Sequence, residues 1–415
     1  MFYTYRMGDN RICLYPMGGA LPQGAEPCGE AFCPLVIPVL RDPFTSRGIF
    51  CVHSPEEVTE AEGPCVLTEI PGEGNSRGDA VADLIRANGA MVVNTAFAHC
   101  WEQAARTLFP KRDGLRLDLV GLGDVGGTLL TALKLLGGDR ISEIGIYDFN
   151  EAQCARYEME LSQVLEHPAP RIVARRFEDL FEGDALLFTA SRGVPPVGAE
   201  GDMRMLQFEK NREMLKSYTA LARGKHYQGL FLQIADPVDL LSRTIFLNTN
   251  RAEDGSFDFA GLMPEQVMGF GLGVMAARAG YMAARRGVGT DTIAAFGPHG
   301  NGLVVANDPS PDGYDEALSL ALTEDTVKAN MEVRALGFKP YIAPALSSAC
   351  ISILNLFAGR PFYGTAPLDG VYFGSRLTMT SLGLRRLRQP LAEGLVKRME
   401  ATVSGLKAME DACRS

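Results

Sequence analysis

An apolar run that ends in Gly121-Leu122-Gly123-Asp124-Val125-Gly126 and leads directly into a helix-like segment constrains this chain more than any other feature. In a strand-to-helix turn the first glycine permits the sharp reversal and the second lets main chain approach a pyrophosphate. The third lets the helix close on the strand, and the helix start offers unpaired amides and positive potential. A Gly-x-Gly-x-x-Gly string is weak by itself; its place between strand and helix gives it meaning. Asp148 closes the next apolar segment, where a carboxylate accepts hydrogen bonds from an adenosine ribose and repels a 2'-phosphate. The expected ligand is therefore NAD rather than NADP, held at Gly121, Gly123, Asp124, Val125, Gly126 and Asp148. Two readings stay open. Asp148 also suits a helix cap before Glu151, and Asp124 would weaken pyrophosphate binding unless it points to solvent.

The surrounding pattern extends this reading. Strands are expected at 115–121, 143–148, 171–174, 185–190 and 229–235, with helices at 126–136, 151–165 and 205–223. Strand and helix in rotation mean an α/β fold, a Rossmann-type doubly wound parallel sheet covered on both faces. Ahead of it, short apolar runs at 11–15, 34–40, 48–53, 65–70 and 91–95, with helices at 76–88 and 95–109, suggest a small α/β unit that ends in the turn-rich stretch 110–114. Beyond it the chain reads as helix-rich, with 264–286 and 382–412 the clearest helices. The expected division is an N-terminal α/β domain of unread role (1–113), a dinucleotide-binding domain (114–245) and a mixed α/β catalytic domain (246–415).

Composition removes several classes of function. At 415 residues, 46% hydrophobic and 22% charged, the chain is neither disordered nor fibrous. A formal charge of -10 repels polyanions, so no nucleic-acid partner is expected. The uncharged stretch 340–359 is long enough to span a bilayer, but Pro340, Pro344, serines and Asn355 dilute it, and a buried helix is the expectation. No basic-then-apolar order opens the chain, so a cytoplasmic location is expected. Of the nine cysteines, six fall in the first hundred residues. They are expected as thiols, and since only Cys28 and Cys33 approach the spacing of a zinc pair, no metal site is expected.

From Leu115 to the C-terminal end the chain resembles the lactate/malate dehydrogenase family through several ordered segments. These are Val120 to Gly126, Ile146-Tyr147-Asp148, Asp184 to Ala190, Asp236-Pro237-Val238-Asp239-Leu240-Leu241, Gly269 to Arg278, and Gly297-Pro298-His299-Gly300-Asn301. The resemblance implies NAD-dependent hydride transfer to or from a small 2-hydroxy or 2-oxo carboxylic acid, with His299 as proton donor and acceptor. Imidazole suits the task because it titrates near neutrality; His53, His99, His167 and His226 lie outside the matching segments. Arg278 matches the arginine that grips the substrate carboxylate through its planar fork. Arg204 matches an arginine of the active-site lid, where positive charge stabilises a developing alkoxide. Thr189 and Ala190 fall beside the cofactor where the chain enters that lid, and Arg192 is a stand-in for a substrate-selecting arginine aligned near Val194. A homo-oligomer, dimer or tetramer, is implied as well.

Two positions depart from the family. Its histidine is held by a carboxylate on the helix that carries Arg278, but three residues before Arg278 stands Met275. A family asparagine that touches the substrate oxygen is replaced by Asp236, an acceptor in place of a donor. One expectation is that Asp236 supplies the carboxylate missing at Met275 and restores a His-Asp couple. Another is that Asp236 accepts a hydrogen bond from an unfamiliar substrate. The alternative function, from a different class, is a catalytically silent NAD-binding protein with a regulatory or assembly role.

Overall fold

A computed structural model describes all residues except 71–78, 112, 165–169, 193–202 and 415; the side chains of residues 203, 204 and 411–414 are also outside the description. Its centre is six neighbouring strands: Leu115–Val120, Ile141–Tyr147, Arg171–Ala174, Ala185–Phe188, Leu230–Gln233 and Val267–Gly269. All pair in parallel. Their spatial order, numbered along the chain, is 3-2-1-4-5-6, the doubly wound arrangement. Ala185–Phe188, Leu230–Gln233 and Val267–Gly269 are short and almost wholly buried because helices cover both faces. Along Ala185–Phe188, Leu186 and Phe188 join one core, with Phe208, Leu215 and Tyr218 of the helix Met203–Gly224. Ala185 and Leu187 join the other, with Leu129, Leu130 and Leu133 of the helix Asp124–Leu136. The two-residue period of a strand thus divides one apolar run between two layers.

The sheet does not stop there. Val267–Gly269 pairs antiparallel with Phe362–Leu368, which continues into Val371–Thr380 and Gly383–Arg386. The last of these meets Ile49–Val52 in parallel, and Ala90–Asn94, Leu35–Val39, Asn10–Leu14, Phe2–Met7 and Glu26–Cys28 follow, fifteen strands in one sheet among the described residues. Charged groups weld this seam. The buried Glu265 carboxylate accepts from the amides of Gly48 and Ile49, and Arg388 pairs with Glu57 and Glu60. Burial outweighs these amide bonds and pushes the Glu265 carboxyl up to about 7.

Several expected elements are corrected. Residues 65–70 hold no strand; Pro64–Leu67 is a 3-10 turn opened by proline. The expected helix 264–286 is a 3-10 turn, the strand Val267–Gly269 and then a helix over Leu272–Arg285, because Gly269 and Gly271 punctuate the run. The expected helix 382–412 is a strand, Gly383–Arg386, followed by the helix Glu393–Arg414. The stretch 340–359 forms a π-helical segment Pro344–Cys350 that runs into the helix Ile351–Phe357, and its Ala349, Cys350 and Ile353 pack in the core. No helix among the described residues is long and apolar enough to cross a membrane.

Candidate active site

The glycine turn sits where the strand order reverses, at the carboxyl ends of Leu115–Val120 and Ala185–Phe188. In open α/β sheets this crevice is where ligands lie. Gly121 adopts φ 94°, and a Cβ there would stand 2.6 Å from the Ala190 amide nitrogen. A Cβ on Gly126 would stand 1.9 Å from the Gly121 carbonyl oxygen. Gly123 differs: nothing lies within 4 Å of a Cβ built on it, and no side chain caps the helix that begins at Asp124. The open side of the turn is thus a cradle of main chain at a helix N-terminus, which fits a pyrophosphate. Asp124 turns outward to an exposed ion pair with Lys339 at 3.0 Å. Val125 packs against the core behind the turn. The Thr189 hydroxyl donates to the Val120 and Gly121 carbonyls, so it braces the turn.

Asp148 reaches back to this turn. Its Oδ2 accepts from the Leu122 amide at 2.7 Å and its Oδ1 from the Asn150 amide at 2.9 Å. The cap of the helix Glu151–Ser162 is Asn150, not Asp148, so the capping alternative falls away.

A second group gathers at the carboxyl ends of the next two strands. Asp236 follows Leu230–Gln233, and His299 packs on the segment after Val267–Gly269, where a Cβ on Gly271 would stand 2.7 Å from the His299 Cβ. The Asp236 carboxylate lies 2.8 Å from His299 Nδ1. The ring is mostly shielded, 18% exposed, while the Asp236 side chain is 45% exposed. Arg278, on the helix Leu272–Arg285, belongs to the same cluster: burial lowers its basicity and the charge of Asp236 opposes that effect. Its Nη1 points at the Met275 sulfur at 3.6 Å. Met275 is therefore buried against Arg278, and a thioether cannot serve as counter-ion to the imidazole.

Two neighbours escaped sequence reading. The buried Asp239 accepts from the His299 amide at 3.3 Å and from the Thr365 hydroxyl at 2.9 Å, which ties the histidine loop to the helix Val238–Thr249. The buried Asn211 bonds to the Arg192 amide and to the Asp236 carbonyl. Asp239 was visible in the Asp-Pro-Val-Asp string; no local signal pointed to Asn211. Arg192 is exposed. Val194 and His167 lie outside the described residues; Arg204 falls in the first turn of the helix Met203–Gly224, its side chain outside the description. Among the described residues no cluster of three or more His, Cys, Asp or Glu is arranged to hold a metal ion.

No protein-family model matches the chain. It is 26% identical over 327 residues to an L-lactate dehydrogenase of Streptococcus equi subsp. zooepidemicus, covering 71% of this chain and 92% of that protein. It is 25% identical over 322 residues to L-lactate dehydrogenase 1 of Enterococcus faecalis, covering 71% and 93%. The fold matches two crystal structures, each with a TM-score of 0.59, 18% identity and coverage of 72% of this chain and 98% of the other. One is a lactate dehydrogenase enzyme from a Medee basin deep-sea metagenome library, the other the minor L-lactate dehydrogenase from Enterococcus mundtii. Over about seven tenths of its length the chain is thus similar in sequence to L-lactate dehydrogenases, and it shares the fold of solved lactate dehydrogenases. At the site itself Met275 stands three residues before Arg278 on the arginine-bearing helix, while a carboxylate at Asp236 meets the histidine from a strand end.

Proposed function

We propose that the protein is an NAD-dependent oxidoreductase that interconverts a small 2-oxo carboxylic acid and the corresponding 2-hydroxy acid. The observation that carries this reading is the 2.8 Å contact between Asp236 and His299 beside Arg278, in line with a glycine turn on the same sheet. Bound nicotinamide dinucleotide supplies or accepts the hydride. Gly121 to Gly126 would cradle its pyrophosphate and Asp148 its adenosine ribose. The protein's own part is proton handling and orientation. With its Nδ1–H donated to Asp236, His299 keeps Nε2 for the substrate oxygen; it gives a proton as a carbonyl becomes an alcohol and takes it back in reverse. The carboxylate of Asp236 stabilises the imidazolium formed on that return. Arg278 would take the substrate carboxylate through two parallel hydrogen bonds, Arg204 would set positive charge against the negative charge that develops on the carbonyl oxygen, and Arg192 would help to select the substrate.

The test is NADH titration followed by a panel of 2-oxo acids. Saturable binding with oxidation of NADH by at least one acid is expected. Binding without oxidation by any of them would favour the silent NAD-binding protein instead.

A further inference from the structure

Asp236 is an unusual place to anchor a histidine. Its side chain is 45% exposed, so packing alone does not hold the carboxylate on the ring. Its main chain is held instead by Asn211, fully buried on the helix Met203–Gly224. The Asn211 Nδ2 donates to the Asp236 carbonyl at 2.7 Å, and its Oδ1 accepts from the Arg192 amide at 2.8 Å. The Ser191 hydroxyl lies at 3.2 Å from Nδ2 and 3.4 Å from Oδ1, and Gln207, one turn earlier on the helix, donates to that hydroxyl at 3.3 Å. One amide thus bridges the segments that leave the carboxyl ends of two adjacent strands, Ala185–Phe188 and Leu230–Gln233. An amide can donate on one side and accept on the other in a fixed geometry, which a carboxylate or an aliphatic side chain cannot do.

We propose that Asn211 is a positioning residue for the acid–base pair: by fixing the Asp236 main chain against Ser191 and Arg192, it keeps the Asp236 carboxylate on His299 Nδ1. The inference rests on the pair described above and extends it to a fully buried residue on a neighbouring helix. Asp239 plays the matching part for the other partner, through the His299 amide. Among the described residues, Asp236, Asp239 and Arg278 bring charge to this site.

The test uses the full chain with ring-labelled histidine. Five histidines give five signals, and His299→Gln identifies the one that matters. Asp236→Asn sets the reference: the Nδ1–H proton signal of His299, far downfield while it is donated to a carboxylate, moves upfield against a neutral amide. Asn211→Ala is expected to move the same signal in the same direction, while Ser217→Ala, exposed on the same helix, leaves it in place. With an accepted 2-oxo acid, Asn211→Ala should lower kcat about tenfold with little change in KM. Should Asn211→Ala not fold, Asn211→Ser, too short to span both partners, is read in the same way. A His299 Nδ1–H signal in Asn211→Ala that stands where it does in the wild type overturns the inference. If the signal moves but no 2-oxo acid oxidises NADH, the positioning role stands and the dehydrogenase reading falls. If NADH is oxidised and the signal stays, the reverse holds.

Discussion

The glycine turn and the histidine pair stand at the carboxyl ends of neighbouring strands in one sheet, yet they are built in opposite ways. The turn is six contiguous residues whose work is done by main chain; what matters at Gly121 and Gly126 is the absence of a side chain. The pair joins two side chains 63 residues apart, with Asp239 and Asn211 holding their main chains from two further helices. Main-chain function is tied to a local pattern and cannot move without moving the fold. Side-chain function is tied only to an end point in space. Here the carboxylate meets the ring from a strand end, while the helix that carries Arg278 offers Met275.

The largest expected effect tests whether the two regions are separable. His299→Gln should lower the rate of NADH oxidation with the best 2-oxo acid by about 10³-fold, the scale of a lost general acid, while NADH affinity stays within about twofold. A comparable loss of NADH affinity would mean that turn and pair are one unit.

A control away from both regions lies at the seam. Glu265 is pushed up to about 7, so the folded protein holds a proton that the unfolded chain releases near 4.5. Its contribution to stability is present at low pH, falls as pH rises from about 4.5 to about 7, and is gone above that window. The difference is on the order of 3 kcal/mol. Denaturation midpoints across this range should decline in the wild type and decline less in Glu265→Gln; equal slopes would show that this carboxyl is not the source.

The carboxylate of Asp236 supplies the next prediction. Asp236→Asn should cost about 10²-fold in kcat/KM. Adding Met275→Asp puts an acid back on the helix that carries Arg278, and the double variant should recover part of the loss. Met275→Asp alone should be harmful, because it buries a second negative charge beside Arg278 and brings no new function. Additive losses in the double variant would show that Asp236 does more than pair with the histidine.

The same contrast explains what was legible in the sequence. The five parallel strands from Leu115 to Gln233 were readable because each is a short apolar run, with a helix in three of the four intervals between them and only the 3-10 turn Phe177–Asp179 in the other. Val267–Gly269 was not, since three residues have no period of their own beside a longer apolar helix. Gly383–Arg386 was hidden by its arginines: Arg386 is buried, with its guanidinium satisfied by the carbonyls of Phe373, Ala366 and Pro367 and the Ser375 hydroxyl, a partner set that no local pattern reveals. In the site, His299, Arg278 and Asp236 could be named from the resemblance of their segments to those of the lactate/malate dehydrogenases. Asn211 could not, because its partners are main-chain groups, which carry no residue identity.

Two glycines three residues apart give the smallest and sharpest tests. Gly126→Ala forces a Cβ to within 1.9 Å of the Gly121 carbonyl oxygen, so the helix must move off the strand. A stability loss of about 2 kcal/mol is expected, with weaker NADH binding as its consequence. Gly123→Ala meets no protein atom within 4 Å, and its φ of -72° suits alanine. The thermal midpoint should therefore hold while NADH affinity falls about tenfold, or 1.4 kcal/mol, because the added methyl occupies the side of the turn left open for a pyrophosphate. If Gly123→Ala binds NADH as tightly as the wild type, the openness at Gly123 has no bearing on the cofactor, and the turn does only what Gly121 and Gly126 do, which is to let a helix pack on a strand.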